Sequence, residues 1–339
     1  MPRLRRADCA DPGIRRIRSG RGFRYTDEAG DRLTDEAALE RIRQLAIPPA
    51  WREVWVCPDP FGHIQATGID DAGRKQYLYH DAWREQQDRR KYDQMLELAD
   101  ELPSLRRRVK RRLGARGLSR DRVLAGAVRL LDLGFFRIGS EQYAEENESF
   151  GLATLRKSHV RSANGSVVFD YPAKSSQRRV QEITDPQLVR LVRSLKNRRG
   201  GGYELLAYRE GTRWVDVRSD EVNTYIKDLA GRDFTAKDFR TWNATVLAAV
   251  QLALHAGEET SKTARKRVDR AVVKSVAEAL GNTPAVCRRA YIDPRVFDRF
   301  HSGTTIADAL PERSSNGEIA KLREGDRERI ERAVAELLS

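Results

Sequence analysis

The sequence predicts an α+β protein with a small β-rich N-terminal domain and a larger, mainly α-helical domain that carries a small three-stranded β insertion. Short runs that alternate apolar and polar residues, separated by turn formers, fill residues 1–90. Beyond them, apolar residues recur at helical spacing over long stretches. Residues 159–184 interrupt this helical pattern with strand-like segments. A length of 339 residues agrees with two domains, 1–90 and 91–339.

In the N-terminal domain, the clearest strand signal is a hairpin. Residues 22–35 hold strand-like pieces around an Ala-Gly-Asp turn, and WREVWVCP alternates apolar with polar positions. The segment HIQATGIDDAGRKQYLYH predicts a strand, a turn and a second strand that carries Gln76, Tyr77 and Tyr79.

In the larger domain, helices are predicted for DAWREQQDRRKYDQMLELADEL, for an amphipathic segment that opens at Ser119, and for the stretches TAKDFRTWNATVLAAVQLALHAG and KTARKRVDRAVVKSVAEALG. The insertion contains an Asn-Gly turn, a strand over 167–171 and a second turn at 173–176. Gly281 fits a helix end, and Thr283 with Pro284 fits the start of a short helix that ends near Tyr291. The C-terminal RERIERAVAELLS predicts a plain amphipathic helix.

Composition favours a polyanionic partner. The net charge is +13 and the isoelectric point about 9.8, as in many nucleic-acid-binding proteins, although a basic but otherwise ordinary enzyme has the same balance. Three scattered cysteines argue for a reducing compartment, and the five histidines lack metal-ligand spacing, so we expect no metal. No run of 18 apolar residues occurs, and we expect a soluble, cytoplasmic, nucleoid-associated protein that binds no membrane.

A basic protein with a tyrosine between two helix ends raises the question of tyrosyl attack on a phosphodiester. The phenol is a weak nucleophile at neutral pH, and the transition state needs several cations on its non-bridging oxygens and an acid for the leaving group. Candidate cations are Arg137 after an apolar helix, Lys237 and Arg240 one helical turn apart, and Lys174 at a hairpin tip. Each of them is equally consistent with a solvated surface charge.

Four segments, in order along the chain, resemble motifs of the type IB DNA topoisomerases, most closely the compact bacterial and poxvirus enzymes. GIDDAGRKQYLYH is similar to the DNA-contacting hairpin of the N-terminal domain, and FFRIGSEQYAEENESFGLATLRKSHV to the first arginine motif. TAKDFRTW resembles the second arginine motif, and LGNTPAVCRRAYI the tyrosine motif. The resemblance runs from about residue 45 to about residue 295.

This resemblance implies a role for each matching residue. Tyr291 is the expected nucleophile, which forms a 3′-phosphotyrosyl bond; Arg137 and Arg240 are expected to hold the scissile phosphate, and Lys174 to protonate the leaving 5′-oxygen. Lys237 matches a further basic position near the phosphate. We also expect duplex contacts from Gln76, Tyr77 and Tyr79 and, one turn before the tyrosine, a backbone contact from Arg288.

The implied activity is relaxation of supercoiled DNA by single-strand cleavage, strand rotation and religation. It needs neither ATP nor a metal or other cofactor, because the phosphotyrosyl bond keeps the energy of the broken phosphodiester. The expected partner is double-stranded DNA, clamped by a monomer mainly through its phosphate backbone.

One position departs from the commoner family pattern. Asn282 stands where many members have histidine. Asparagine still donates an N–H to a phosphate oxygen but carries no charge. We therefore keep Asn282 among the expected catalytic residues, with the expectation that histidine replaces it without loss and alanine does not.

Two other functions remain open at this point. A tyrosine site-specific recombinase uses a related set of arginines, lysine and tyrosine, but usually has His-x-x-Arg where this chain has Lys237-Asp238-Phe239-Arg240, and a helical rather than β-rich N-terminal domain. A non-catalytic DNA-binding protein would explain the charge and the aromatic hairpin, but not the arginines, lysine and tyrosine in matching motifs.

Overall fold

The computed structural model describes residues 3–174, 177–257, 261–311 and 323–339. The chain forms two compact units, Met1–Lys91 and Tyr92–Ser339. The first is built on one sheet and the second is mainly helical with small sheets, which confirms the predicted α+β class. None of the helices in these described ranges is both long and apolar enough to cross a membrane.

A five-stranded antiparallel sheet forms the first unit, with the strand order β2-β1-β3-β4-β5. Its strands are β1 (Ile14–Ser19), β2 (Gly22–Thr26), β3 (Arg52–Val56), β4 (Ile64–Ile69) and β5 (Lys75–Tyr79). The predicted hairpin is β4 and β5, paired with Thr67 opposite Tyr77. Because β5 is the last strand of the order, one of its edges has no partner strand within the sheet.

Two elements of this unit were not predicted. Strand β1 carries three arginines among six residues, so its alternation is hard to see in the sequence. Helix α1 (Glu36–Gln44) begins at the N-cap Asp35, whose carboxylate accepts from the N–H of Ala37, and Ile42 is its buried residue. A strand predicted after the turn near residue 30 was wrong, because only a single bridge, Thr26 to Arg32, forms there.

The second unit contains most of the helices. They are α2 (Asp81–Leu113, which starts in the first unit), α3 (Arg120–Leu133), α4 (Glu141–Asn147), α5 (Pro186–Lys196), α6 (Ser219–Ala230), α7 (Ala236–Leu254), α8 (Lys262–Leu280), α9 (Pro284–Ala290), α10 (Arg295–His301) and α11 (Glu324–Leu338). Helix α2 continues through Pro103, where the predicted helix stopped. Leu105, Val109 and Leu113 are buried beyond the proline, and their packing offsets its cost of about 3 kcal/mol.

Helix α7 lies at the centre of the second unit. Nearly all its residues are buried, and they include the polar residues Asp238, Arg240, Asn243 and Thr245. A helix that is buried on every side belongs to the middle of a core, and polar groups there need defined partners. Asn243, for example, donates to the carbonyls of Leu131 and Asp132 at 3.2 and 3.1 Å.

The predicted three-stranded insertion is confirmed as an antiparallel sheet in the order β6-β7-β8. Its strands are β6 (Val160–Ala163), β7 (Ser166–Ala173) and β8 (Gln177–Ile183). Part of the turn predicted at 173–176 lies outside the described residues. A second small sheet, β9 (Ala207–Glu210) with β10 (Arg213–Asp216), was not predicted.

A buried ion network ties α11 to the helices around α7. Arg106 binds Asp132 at 2.7 Å and Glu331 at 2.6 Å, and Arg327 binds the same Asp132 at 3.0 Å. Burial acts to raise the pKa of the Asp132 carboxyl, but the charges of Arg106, Arg327 and Arg129 hold it well below its usual range. Because each buried charge is paired, the desolvation cost of the group is offset.

Candidate active site

A pocket of about 390 Å³ in the second unit brings together five residues predicted from the sequence. These are Tyr291, Arg137, Arg240, Lys174 and Lys237, which come from widely separated segments. Its other lining residues are Phe136, Ile138, Gly139, Ser140, Ser149, Phe150, Gly151 and Ala236. A tyrosine hydroxyl among four cationic side chains forms a site suited to a phosphate group.

Tyr291 is the C-cap residue of α9. That helix starts as predicted, with Thr283 accepting from the N–H of Val286 and Pro284 in the first turn. The N–H of Tyr291 donates to the carbonyl of Cys287 at 3.1 Å. Its own carbonyl accepts from the hydroxyl of Thr245 on α7 at 3.4 Å. The half-buried tyrosine is thus fixed by its backbone to two helices.

Arg240 lies deep in the pocket wall, with only 4% of its surface exposed. Its guanidinium donates to the carbonyls of Phe135 and Leu280, and its Cζ lies 5.1 Å from the centroid of the Tyr291 ring. Its buried Nε has no hydrogen-bond partner among the described residues. Burial, followed by the charge of Arg137, lowers the pKa of Arg240 to about 10, so it remains charged at neutral pH.

Arg137 lies in an extended segment between α3 and α4, where its carbonyl accepts from the N–H of Leu152 at 2.7 Å. Its Nη2 donates to the carbonyl of Gly281 at 2.6 Å and to Oδ1 of Asn282. An arginine only donates, so the amide oxygen of Asn282 must face it. The amide Nδ2 is then buried without a partner in the part of the chain that the structure describes. Asn282 itself lies behind Arg137 and is not one of the lining residues of the pocket.

The C-terminal end of α8 anchors these arginines. Gly281 takes a left-handed conformation with φ of +64°, which favours glycine, and the N–H of Asn282 donates back to Ala277 at 3.0 Å. Three successive carbonyls at this helix end, up to and including the cap residue, accept from three different arginines. Ala279 accepts from Arg179, Leu280 from Arg240 and Gly281 from Arg137.

Sequence reasoning missed Arg179 in this cluster. It lies on β8, in the run QRRV, where two adjacent arginines point to opposite faces of the strand. Arg178 pairs with Asp170 at the surface at 2.6 Å, whereas Arg179 is half-buried and reaches α8. The sequence signal was the double arginine, but only the strand pairing determines which arginine faces inward.

The two lysines are exposed and approach the pocket from different elements. Lys174 follows the last residue of β7, which is the hairpin position that the sequence predicted. Lys237 lies in the first turn of α7, which begins with a capping box in which the N–H of Thr235 donates to Asp238 at 2.8 Å. Lys237 and Arg240 therefore lie one turn apart, as predicted.

A pair of glycines that were not predicted as site residues shapes one wall of the pocket. Gly139 has φ of +85°, and a Cβ on Gly151 would lie 2.4 Å from the Cα of Gly139. No side chain fits between these two backbone segments. Their contact holds the extended segment of Arg137 against the turn that follows α4, and its trace in the sequence is the glycine pair in FRIGSEQYAEENESFG.

Arg288 does not line this pocket. Its Cζ lies 3.3 Å from the centroid of the Phe297 ring, and its buried Nη1 has no partner among the described residues. Burial is the main cause of the lowered pKa of its guanidinium. The guanidinium of Arg288 is therefore engaged in an aromatic contact and does not face the pocket. The DNA contact expected of Arg288 stays a prediction.

The other predicted DNA-contacting residues lie on the edge strand β5 of the first unit. The rings of Tyr77 and Tyr79 stack with centroids 6.0 Å apart, and Tyr77 is 41% exposed. Gln76 points to the other face and donates to Asp70 at 2.8 Å. Lys75 lies 5.7 Å from the ring centroid of Tyr77 and adds a charge beside the aromatic pair. This surface combines aromatic faces with a cation, and its contact with DNA stays a prediction.

Comparisons with known proteins show which family this chain belongs to. The family model for the catalytic core of eukaryotic DNA topoisomerase I matches residues 80–307, and the model for the N-terminal domain of bacterial DNA topoisomerase IB matches residues 22–70. The chain is 30% identical to DNA topoisomerase 1B of Acanthamoeba polyphaga mimivirus over 286 residues, which are 83% of this chain and 85% of that protein.

More distant relatives follow the same pattern. DNA topoisomerase 1B of vaccinia virus (strain Copenhagen) is 20% identical over 270 residues, 78% of this chain and 82% of the viral protein. DNA topoisomerase 1 of Schizosaccharomyces pombe is 29% identical over 169 residues, 49% of this chain but only 20% of the yeast protein. These matches decide against a recombinase and against a non-catalytic DNA-binding protein. The chain belongs to the type IB DNA topoisomerases, isomerases that bind and relax DNA.

Proposed function

We propose that this topoisomerase relaxes supercoiled DNA by cutting one strand with Tyr291 and resealing it, without a nucleotide or a metal ion. The observation that carries this proposal is the single pocket that Tyr291 shares with Arg137, Arg240, Lys174 and Lys237. Attack of the phenol on a phosphodiester needs cations on the non-bridging oxygens and an acid for the leaving oxygen. The pocket offers both.

In the proposed reaction, Arg137 and Arg240 bind the non-bridging oxygens of the scissile phosphate. Each guanidinium is already held by backbone carbonyls, so little reorganisation accompanies the reaction. The Nε of Arg240 and the Nδ2 of Asn282 are buried and have no partner among the described residues, and each would donate to a phosphate oxygen once bound DNA reaches it. Lys237 adds positive charge at the same pocket.

The bond changes balance without a co-reactant. The phenolic oxygen of Tyr291 forms a bond to phosphorus as the bond to the 5′-oxygen breaks, and Lys174 gives a proton to that oxygen while the phenolic proton passes to solvent. A 3′-phosphotyrosyl ester and a 5′-hydroxyl result. Resealing is the reverse attack, with Lys174 as the base. Because the ester keeps the energy of the phosphodiester, rotation of the free end is the only change between cleavage and resealing.

Binding should come mainly from contacts with the phosphate backbone. The net charge of +13 supports this, and β5 offers stacked tyrosines beside Lys75 for the duplex.

We propose that a monomer suffices, with contacts from both units, and that the protein works at the nucleoid in the cytoplasm. Affinity then falls steeply as salt rises, because bound phosphates release their counterions. A binding curve that stays flat between low and moderate salt would contradict this part of the proposal.

The decisive experiment is plasmid relaxation in the presence of a chelator, without ATP or magnesium, with the parent protein beside Tyr291→Phe. We expect the parent alone to produce a ladder of partly relaxed topoisomers. After quenching with denaturant, a 5′-labelled strand should migrate with the parent protein and not with the variant. Tight binding without relaxation by the parent, or relaxation by Tyr291→Phe, would overturn the mechanism.

A further inference from the structure

We propose that Arg179 is a positioning residue of this active site, which fixes the C-terminal turn of α8 so that its carbonyls align Arg137 and Arg240 on the phosphate. The inference rests on the function proposed above and deepens it. Arg179 does not line the pocket and need not touch DNA. Its effect would pass through the acceptors of the other two arginines.

The contacts of Arg179 connect β8 to α8. Its Nη1 donates to the carbonyl of Glu278 at 2.7 Å, and its Nη2 donates to the carbonyl of Ala279. Its stem packs on the turn itself, since a Cβ on Gly281 would lie 3.0 Å from Cδ of Arg179. A planar guanidinium that binds two successive carbonyls fixes both the position and the direction of a helix end.

The hydrogen bonds at the end of α8 show why this contact matters. The last carbonyls of a helix lack N–H donors from the helix itself. In α8 the glycine cap satisfies Ala277 and Glu278, through the N–H groups of Asn282 and Gly281. The remaining carbonyls accept from Arg179, Arg240 and Arg137. A shift of this turn would therefore move the acceptors of both arginines in the pocket together.

The electrostatic environment of Arg179 differs from that of an exposed surface arginine. Burial lowers the pKa of its guanidinium, and the charge of Arg137 lowers it further, so its position is unfavourable for a third cation. The negative end of the α8 dipole offsets this repulsion where the three guanidinium groups meet. A neutral residue would fit here more readily if packing were the only requirement.

The same face of β8 holds the other anchor of Arg240. Gln181 lies two residues after Arg179 and so faces the same side. Its Oε1 accepts from the N–H of Phe135 at 3.0 Å, and the carbonyl of Phe135 accepts from Arg240. Strand β8 therefore braces both backbone segments that bind Arg240, and the same hairpin carries Lys174.

The test compares Arg179→Met with Arg178→Met, a neighbouring variant that removes an exposed arginine paired with Asp170. We expect Arg179→Met to slow single-turnover cleavage at saturating protein by about 10-fold to 100-fold, because a small misplacement of catalytic groups has effects of this size. DNA affinity should stay within about 2-fold of the parent, since a positioning residue affects the transition state. Arg178→Met should cleave at the parental rate.

Two further variants separate positioning from loss of structure. Arg179→Lys keeps the charge but replaces the two-nitrogen fork with a single ammonium group, so its cleavage rate should fall between those of the parent and Arg179→Met. It also carries the test if Arg179→Met fails to fold. In a double-mutant cycle with Arg137→Ala, the combined loss should be smaller than the product of the single losses, because both changes act through the same turn.

The proposal is overturned if Arg179→Met, or Arg179→Lys in its place, cleaves as fast as Arg178→Met, or if the losses with Arg137→Ala multiply fully. It is also overturned if affinity and the melting temperature fall in step with the rate, which would indicate a structural role alone. Failure of the proposed function looks different: the parent itself then does not relax DNA, or Tyr291→Phe does.

Discussion

The arginines of the pocket and the tyrosines of β5 are held in opposite ways. Arg240 is almost fully buried and bound to two backbone carbonyls, whereas Tyr77 is exposed on an edge strand beside Tyr79 and Lys75. Groups that stabilise a transition state must be fixed before the reaction, while groups that only bind can adapt. The difference divides the candidate residues into those expected to govern the rate and those expected to govern affinity.

Apart from loss of the nucleophile Tyr291, the largest effect is expected at Arg240. Arg240→Ala should lower single-turnover cleavage of a labelled duplex on the order of 10³-fold, because it removes a buried donor from the phosphate. Arg240→Lys should be nearly as poor, since one ammonium cannot reach the carbonyls of Phe135 and Leu280 and a phosphate together. A cleavage rate of Arg240→Lys within a few-fold of the parent would show that holding the guanidinium in place before the reaction is unimportant.

Lys174 should come next. Lys174→Ala should slow cleavage about 100-fold, the usual scale for loss of a general acid. A substrate with sulfur in place of the leaving 5′-oxygen should restore the rate, because a thiolate leaves without a proton. Arg240→Ala provides the control, since better departure of the leaving group does not replace a phosphate contact. Equal rescue of both variants would remove Lys174 from the role of acid.

A smaller effect, about 10-fold, is expected for Asn282→Ala, which removes both the acceptor of Arg137 and a buried donor that has no partner among the described residues. Asn282→His should stay close to the parent while its ring is neutral, with one nitrogen accepting from Arg137. The ordinary pKa of histidine is about 6.5, and the charge of Arg137 would lower it, so the ring gains a proton only at a more acidic pH. It then faces Arg137 as a second cation, and the variant's rate should fall relative to the parent. Unchanged cleavage by Asn282→Ala would exclude Asn282 from the site.

The smallest effect on rate is expected on β5. Tyr77→Ala should weaken duplex binding about 5-fold to 10-fold through loss of aromatic contact, yet leave cleavage at saturating protein within about 2-fold of the parent. Lys75→Met should reduce the slope of affinity against salt, whereas Tyr77→Ala should not, because tyrosine carries no charge. A slower saturated rate in Tyr77→Ala would show that the two regions are not separable in this way.

Most of the pocket could be predicted from short motifs, because each motif carries its own local structure. The glycine, threonine and proline around residue 282 give the end of α8 and the start of α9, and the spacing of Lys237 and Arg240 follows from one helix. The sequence also separated a β-rich from a helical region through the change of hydrophobic period.

What could not be predicted depends on contacts distant in sequence. The convergence of Arg137, Arg179 and Arg240 on one helix end joins residues far apart in sequence, such as Arg137 and Gly281, which are 144 positions apart. The inward direction of Arg179 depends on the register of β8 against β7. Strand β1 is stabilised by pairing with β2 and β3, and helix α1 is stabilised by burial of Ile42. The residues of these two elements do not by themselves indicate which partners they will have.

Helix α7 carries Lys237 and Arg240 near one end and, five residues after Arg240, the Thr245 that binds the carbonyl of Tyr291. The angle around the helix axis between Arg240 and Thr245 is therefore set by the number of residues between them, at about 100° for each residue. One residue inserted between Arg240 and Thr245 would rotate the support by that angle and withdraw it from Tyr291. Natural length variation in proteins of this design should accordingly avoid this segment of α7 and accumulate in connecting loops such as the one around Gly200–Gly202, where an added residue changes no phase.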